Sequence, residues 1–491
     1  MKIYLYDCRF RRTVLAAICG IGDFVIQERY MELIGKLRTI PSAKIEKSLV
    51  SIGFECLDRE LFRPEKCYDL LGASGVKYAR VQTGWAKCEV VKGVIDFGWL
   101  DDIVDNLLKR GVEPWFNVGF GNPLYMEGIP ESNKTAVGCV PLYYGEECVA
   151  AWLRFVKALT EHFRDRITHY EIWNESDIRP FWYPHAPDAS KLAELITITG
   201  RAIREVFPGA KLGTCTSGSW FGYVSTLLEG LTPDLLDFYC MHWYRICTER
   251  NYEEQVSHLR RLFRKYGFEG TELWMGEGGY PSWFPKGHWM HPDPANDGSE
   301  HQQAVYMLRR MMTDAGLGLK RHSYFQMADM WERPYEKANE VIKKPAAQGI
   351  LNGVVYTPKE SYYAISRLAH VLSGDIEPLE AYFGVDVKDE KAFGRENVSA
   401  LRHFALKRNG GQMYVWYLPT DIEAERGIVG EMRLDVETLE DVREMREPVV
   451  VDLYSGEVFR AEAKIGRGIS VDVPIAEYPI LLCDRADLEI E

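Results

Sequence analysis

Two glutamates stand where apolar runs stop. Tyr170-Glu171-Ile172-Trp173 reads as a buried strand that ends in Asn174-Glu175, and Leu273-Trp274-Met275-Gly276 ends in Glu277, followed by Gly278-Gly279. Leaving an unpartnered polar group in such a place costs roughly 2–7 kcal/mol, so each needs a compensating role. An Asn-Glu pair after a strand can simply cap a helix or pair with a cation. Two glutamates closing strands of one sheet can do more. A carboxylate pair roughly 5 Å apart suits retaining glycoside hydrolysis, in which one attacks the anomeric carbon and the other protonates the leaving oxygen, then activates water. Such a division of labour requires different environments: one carboxylate kept ionised by a cation, the other kept protonated by burial or by its negative neighbour.

A suitable cation is present in Tyr78-Ala79-Arg80-Val81, where an arginine inside an apolar strand demands a carboxylate partner. His242-Trp243-Tyr244 adds two hydrogen-bonding groups at alternate positions on one strand face. Structural roles exist for both, since Arg80 could bridge layers of a core and a single His242 is commonly a satisfied core histidine. Asn117, in Asn117-Val118-Gly119-Phe120, lies at another strand end. Aromatic residues crowd the intervening loops: Trp85, Phe181-Trp182-Tyr183, Trp220, Trp283-Phe284, Trp289 and Trp331. The C–H faces of sugars pack on such rings, although plain loop packing explains any one of them equally well. His185, His288, His291, Asp329 and Glu332 could meet sugar hydroxyls or solvent. A metal-dependent hydrolase would need His-x-His or a carboxylate cluster on the first strand. Glu55 and Asp58 are there but no His-x-His is, so no metal or cofactor is expected.

These residues sit on a regular rhythm. Strands are expected at 50–57, 76–83, 112–120, 167–173, 211–215, 235–243, 272–276 and 321–327. Helices are expected at 64–74, 99–110, 148–165, 191–207, 253–266, 299–314 and 361–372. In the second of these helices Leu100, Ile103, Val104, Leu107 and Leu108 share one face, and Gly111 stops it. Eight strands alternating with helices predict an α/β chain folded as a (β/α)8 TIM barrel, in which strand-end polar residues converge at one mouth. An open doubly wound sheet is the alternative, but no glycine-rich phosphate fingerprint follows the first strand. After residue 375 the pattern changes to short strands at 398–407, 412–417, 449–454, 458–463, 469–473 and 480–483, with a hairpin signal at Asn409-Gly410-Gly411. We therefore expect a barrel over 46–375, an appended antiparallel β-sandwich over 376–491, and a segment 1–45 that lends the sandwich an edge strand.

Composition narrows the function classes. With 491 residues, 46% hydrophobic and 12% aromatic, the chain can bury a large core. A net charge of −13 and the lack of any dense basic run beyond Arg9-Arg11-Arg12 argue against a nucleic-acid partner. The 11 cysteines are scattered without CxxC pairs, which argues against a disulfide framework or structural zinc. Thr13 to Gly22 faintly resembles a signal peptide, but Asp7 and Asp23 interrupt it, and no run reaches the roughly 18 apolar residues a membrane span needs. A reduced, cytoplasmic protein is expected, with a small-molecule glycoside or oligosaccharide as partner and no membrane. A homo-oligomer is compatible with the sequence.

The ordered set of Asn174-Glu175, Glu277, Arg80 and His242/Tyr244 resembles the clan A retaining glycoside hydrolases. Within that clan the Trp173-Asn174-Glu175 triplet and trailing β-sandwich are most similar to family 39, the β-xylosidase-like enzymes. The resemblance implies Glu175 as acid/base, Glu277 as nucleophile, Asn174 as a ligand of the sugar 2-hydroxyl, and Arg80 with Tyr244 as supports of the nucleophile. It implies a retaining glycosidase, with xylosides, glucosides, galactosides or arabinosides as candidate substrates, and exo action on short oligosaccharides is expected because the chain reads as cytoplasmic and carries no obvious separate binding module. A catalytically silent carbohydrate-binding protein is the rival, although a binder has no need of both glutamates. Two departures put the substrate in question. Ser176-Asp177 follows the acid/base glutamate where many members have Pro-Asn, and Asn117 to Pro123 replaces a His-rich third-strand edge.

Overall fold

The computed structural model describes residues 31–245, 248–283, 298–330, 347–420 and 428–491. After an edge strand β1 (Glu32–Lys36) come eight strands: β2 (Val50–Gly53), β3 (Tyr78–Gln82), β4 (Glu113–Val118), β5 (His169–Ile172), β6 (Lys211–Thr216), β7 (Phe238–Met241), β8 (Glu272–Gly278) and β9 (Arg321–Tyr324). They pair in parallel in that order, and β2 closes on β9 through Val50↔His322 to Ile52↔Tyr324. The chain is thus a (β/α)8 barrel, and every strand delivers its C-terminal end to the same mouth.

Several strands are shorter than their apolar runs suggest. The first stops at Gly53 because Cys56 takes a left-handed φ of 63°, turning Phe54–Leu57 into a loop. The last stops at Tyr324, and Gln326 and Met327 then bond irregularly to Gln348 and Gly53. Hydrophobicity marks what is buried, and loops over a barrel mouth are buried as well.

Alternation along the strands layers the barrel interior. Within it Trp115, Cys215, Phe238, Cys240 and Trp274 form an apolar plug distinct from the surrounding core. The Arg321 guanidinium lies 3.8 Å from the Tyr78 ring centroid and 4.0 Å from that of Trp274. Above the plug, Arg80 lies 5.6 Å from the Trp115 ring. Above Arg80 come the carboxylates of the mouth. Ala79 and Val81, the neighbours of Arg80 on β3, are fully buried on the opposite, helix-facing side, as a two-residue period requires.

The C-terminal strands are β10 (Ile376–Leu379), β11 (Tyr382–Val387), β12 (Arg402–Arg408), β13 (Gly411–Tyr417), β14 (Ile428–Glu437), β15 (Pro448–Asp452), β16 (Glu457–Arg460), β17 (Lys464–Ile465), β18 (Ile469–Ala476) and β19 (Ile480–Asp484). They make a seven-stranded sheet, β1-β16-β15-β19-β13-β12-β10, and a four-stranded sheet, β11-β14-β18-β17, antiparallel in every pairing. The β12–β13 hairpin turns on Asn409 (φ 48°) and Gly410 (φ 79°), the left-handed pair that a two-residue turn demands. Residues 398–400, expected as strand, are helix; β10, β11 and β14 are not among the expected strands, although Met432, Leu434 and Val436 of β14 alternate as a half-buried strand requires. Residues 1–30 of the segment expected to lend an edge strand lie outside the described residues. Among those residues no helix is long and apolar enough to cross a membrane.

Helix Glu300–Gly316 joins barrel to sheet and is buried on nearly every side. Its Arg309 donates to three backbone carbonyls of the C-terminal region: Nε to Glu477 O at 2.5 Å, Nη1 to Thr420 O at 2.9 Å and Nη2 to Leu418 O at 3.0 Å. Arg309→Met keeps the bulk and strands those acceptors. It should lower unfolding free energy by about 3 kcal/mol in denaturant titration, and a loss below about 1 kcal/mol would show the junction to be held otherwise.

Candidate active site

Arg80 is the hub. Its Nε and Nη2 form a bidentate pair with Glu171 at 2.9 and 2.6 Å, and Nη2 also donates to Asn174 Oδ1 at 2.8 Å. Nη1 donates to Glu55 Oε2 at 2.6 Å and to Glu277 Oε1 at 2.5 Å. All five guanidinium protons are thereby engaged by groups from β5, β8 and the ends of β2 and β5. The sequence demanded a carboxylate partner for Arg80, and the structure supplies three.

Glu175 approaches from the other side. His242 Nδ1 lies 3.1 Å from Glu175 Oε1 and 3.4 Å from Glu277 Oε1. Oxygens of the two carboxyls and the His242 nitrogen all fall within 4.8 Å of one another. That is the close spacing of a nucleophile and acid/base, shorter than the roughly 6.5–9.5 Å that leaves room for a water between inverting carboxylates. Tyr244 donates its hydroxyl to Glu277 Oε2 at 3.0 Å. Gly276 makes this possible, because a Cβ there would lie 2.7 Å from His242 Nε2.

The backbone beneath Glu175 is strained into place. Trp173 and Glu175 both have left-handed φ, 69° and 40°, which cost a side-chain-bearing residue energy unless neighbours enforce them. Asn117 Nδ2 binds Trp173 O at 2.7 Å, and the Glu175 N–H donates to Cys215 Sγ at 3.1 Å. Asp177, in the unusual Ser-Asp pair, accepts from Ser217 N, Ser217 Oγ and Gly218 N at 2.7, 3.0 and 3.1 Å, tying this loop to the end of β6.

The electrostatics separate the two glutamates. Burial, reinforced by the Glu277 and Asp177 charges, pushes the Glu175 carboxyl well above the ordinary glutamate range. Burial also acts on Glu277, but the Arg80 charge and the Tyr244 hydroxyl beside it oppose burial and bring that carboxyl down. Burial raises Glu55 despite its contact with Arg80, and lowers His242 to about 3, so the imidazole is neutral. Glu55 and Glu175 are thereby biased towards the protonated form and Glu277 towards the carboxylate. The arrangement thus provides a carboxylate and a carboxylic acid face to face. Glu175–His242–Glu277 and Glu171–Cys215–His242 each gather ligand atoms within 4.8 Å and could hold a cation, with the Arg80 charge beside them opposing one.

Other expected site residues are distributed differently. Arg80, Asn117, Asn174, Glu175, His242, Tyr244 and Glu277 come together. Trp85 and Trp182 do not offer a platform: both are fully buried, Trp85 stacked between Tyr125 and Phe155, and Trp182 against Tyr143 and Trp173. Asp329 is buried with Lys359 Nζ 2.7 Å away, a structural ion pair under the β9 loop. Trp283 and Trp220 are exposed, at 39% and 64%. Trp331, Phe284, His288, Trp289, His291 and Glu332 lie outside the described residues. Glu171 was read only as part of a strand. Its signal was alternation: Glu171 is a charged residue set between the apolar Tyr170 and Ile172 on β5, level with Asn117 of β4, the strand that separates it from the β3 carrying Arg80.

Because folding raises the Glu175 pKa, the protonated carboxyl favours the native state fully below the unfolded value near pH 4.3, and that contribution is lost as pH rises towards the folded value. Glu175→Gln is neutral throughout. It should melt above the wild type at pH 7, with the difference vanishing near pH 4 in thermal scans; a variant that melts lower at pH 7 would contradict this environment.

No family model matches the sequence. Solved structures do match in fold. A family 39 glycoside hydrolase from the gut symbiont Bacteroides cellulosilyticus aligns over 91% of this chain and 83% of its own, with TM-score 0.63 and 15% identity. A family 39 β-xylosidase from Caulobacter crescentus aligns over 92% and 98%, with TM-score 0.55 and 18% identity. A family 30 endoxylanase from Clostridium papyrosolvens aligns over 92% and 98%, with TM-score 0.58 and 10% identity. At such identities the likeness is one of architecture: the chain is similar in fold to the family 39 and family 30 glycoside hydrolases of clan A.

Proposed function

We propose that this protein is an O-glycoside hydrolase that retains anomeric configuration. The observation that carries the reading is the pair Glu175 and Glu277, with oxygens within 4.8 Å of each other and opposite protonation preferences. Glu277, ionised and aimed by Arg80 and Tyr244, attacks the anomeric carbon. As the glycosidic bond breaks, Glu175 gives its proton to the departing oxygen, leaving a glycosyl ester on Glu277. Loss of the negative charge on Glu277 then lowers the affinity of Glu175 for a proton. Glu175 takes one from an incoming water, whose oxygen displaces Glu277 and restores both groups. Asn174, oriented through its Oδ1 by Arg80, directs its amide towards the sugar 2-hydroxyl in this scheme.

The fold shared with β-xylosidases and an endoxylanase supports β-linked, equatorial substrates, with xylosides, glucosides, galactosides and α-L-arabinosides as the classes to try, and short oligosaccharides attacked from an end. Eight described cysteines are free and buried, which suits a reducing compartment such as the cytoplasm. The rival reading, a silent carbohydrate binder, leaves the four-carboxyl cluster without a purpose.

Glu277→Gln should abolish turnover of whichever 4-nitrophenyl glycoside the wild type cleaves best. Glu175→Ala should lose roughly 10²–10⁴ in kcat/KM, and azide should restore it on that activated substrate. NMR of the first product should show the anomer of the substrate. An inverted first product, or a Glu277→Gln variant with wild-type rates, would sink the proposal.

A further inference from the structure

The appended four-stranded sheet carries a groove that the chemistry at the barrel mouth does not use. Its volume is about 350 Å³, within the roughly 300–1,000 Å³ of small-ligand clefts, and it is lined among others by Tyr382, Asp435, Glu437, Lys464, Gly468 and Ser470. Register sets these residues side by side. Tyr382 pairs with Glu437 and Gly384 with Asp435 across β11 and β14; Asp435 pairs with Ser470 of β18, and Ser470 with Lys464 of β17. Alternation turns them away from Leu434, Val436, Ile469 and Val471, which are buried on the opposite face. Tyr382 is 66% exposed, yet a Cβ at Gly384 would lie 3.3 Å from its Oη and 3.4 Å from its Cε1. The ring therefore leans along β11 and covers the bare backbone of Gly384 instead of standing up from the sheet. Gly384 keeps ordinary strand backbone, so nothing in its conformation calls for a glycine. A glycine inside a strand weakens it, and here its use is to clear room for the ring.

Farther along the same face the charges are tied to one another. Arg433 Nε holds Asp472 at 3.0 Å, and Lys388 lies 3.3 Å from Asp472 and 3.6 Å from Glu431. At the groove they are left open: among the described residues, the side chains of Asp435, Glu437, Lys464 and Ser470 make no hydrogen bond or ion pair. We propose that this groove binds a neutral saccharide chain, separately from the barrel mouth. The C–H face of a pyranose packs on the Tyr382 ring, while its hydroxyls donate to Asp435 and Glu437 and accept from Lys464 and Ser470. Four strands spaced about 4.8 Å apart give the groove a length of roughly 14 Å, enough for a short run of sugar units. Two acidic side chains against one lysine disfavour an acidic sugar. The site gives the protein a second hold on a saccharide and does not depend on the reaction assigned to the barrel.

The test is NMR of the full chain carrying ¹³C in its tyrosine rings, in a Glu277→Gln background so that no saccharide is consumed, with the Tyr382 resonance assigned through Tyr382→Leu. Xylotetraose or cellotetraose at millimolar concentration should shift that resonance in a saturable way, and trigalacturonate should not. Gly384→Val keeps the ring but crowds it off the backbone, and should weaken the tetrasaccharide at least about fivefold. A Tyr382 signal unmoved by both neutral tetrasaccharides, or moved as far by trigalacturonate, would overturn the proposal, as would unchanged affinity in Gly384→Val. A signal that follows protein concentration alone would assign this face to a second copy of the chain and overturn it too. A wild type that cleaves no glycoside while Tyr382 still shows the saturable shift would defeat the glycosidase reading and leave the groove standing.

Discussion

One guanidinium with one charge holds together the mouth of this barrel. Arg80 sits above an aromatic plug, out of reach of water, and spends every N–H on a carboxyl or amide oxygen at the barrel mouth. In a medium of low dielectric that charge cannot stabilise four carboxylates at once. Geometry decides which groups share it. Glu171 takes the bidentate face and Glu277 shares Nη1 with Glu55, while burial raises the Glu55 and Glu175 carboxyls. The difference between the nucleophile and the acid is thus set by burial and by neighbouring donors, with Arg80 and Tyr244 both on Glu277, rather than by residue type.

The fold makes this distribution possible. Parallel strands alternate between inward and helix-facing residues, so Arg80 on β3 and Glu171 on β5 meet inside without disturbing the outer core. Loops then bring Glu55, Glu175 and Tyr244 from three strand ends to the same level. The left-handed backbone at Trp173 and Glu175 would relax if it were free. Asn117, Cys215 and Asp177 pin it, and through Asp177 the acid/base loop is tied to the next strand end.

The barrel was legible because its strands are apolar and evenly spaced, and the central residues because polar groups at strand ends are conspicuous. Arg80 announced the need for a partner, yet alternation alone did not say that Glu171 and Glu55 would join Glu277 around it. Trp85 and Trp182 misled because a tryptophan in a loop is equally apolar whether it faces sugar or core, and here long loops build an inner layer of their own. Asp329 misled for a related reason, since the Lys359 that pairs with it is 30 residues away in sequence. Strand β14 did carry a periodic signal, Met432, Leu434 and Val436 alternating with Arg433 and Asp435, whereas β10 and β11 are short and largely exposed.

The central claim is that Arg80 and burial divide protonation between Glu175 and Glu277. A pH titration of the protein labelled with ¹³C at the glutamate carboxyls, with resonances assigned through Glu175→Gln and Glu277→Gln, measures this directly. The account predicts that Glu175 titrates above the ordinary glutamate range and Glu277 below it. Both titrating together near pH 4, or in the reverse order, would contradict it.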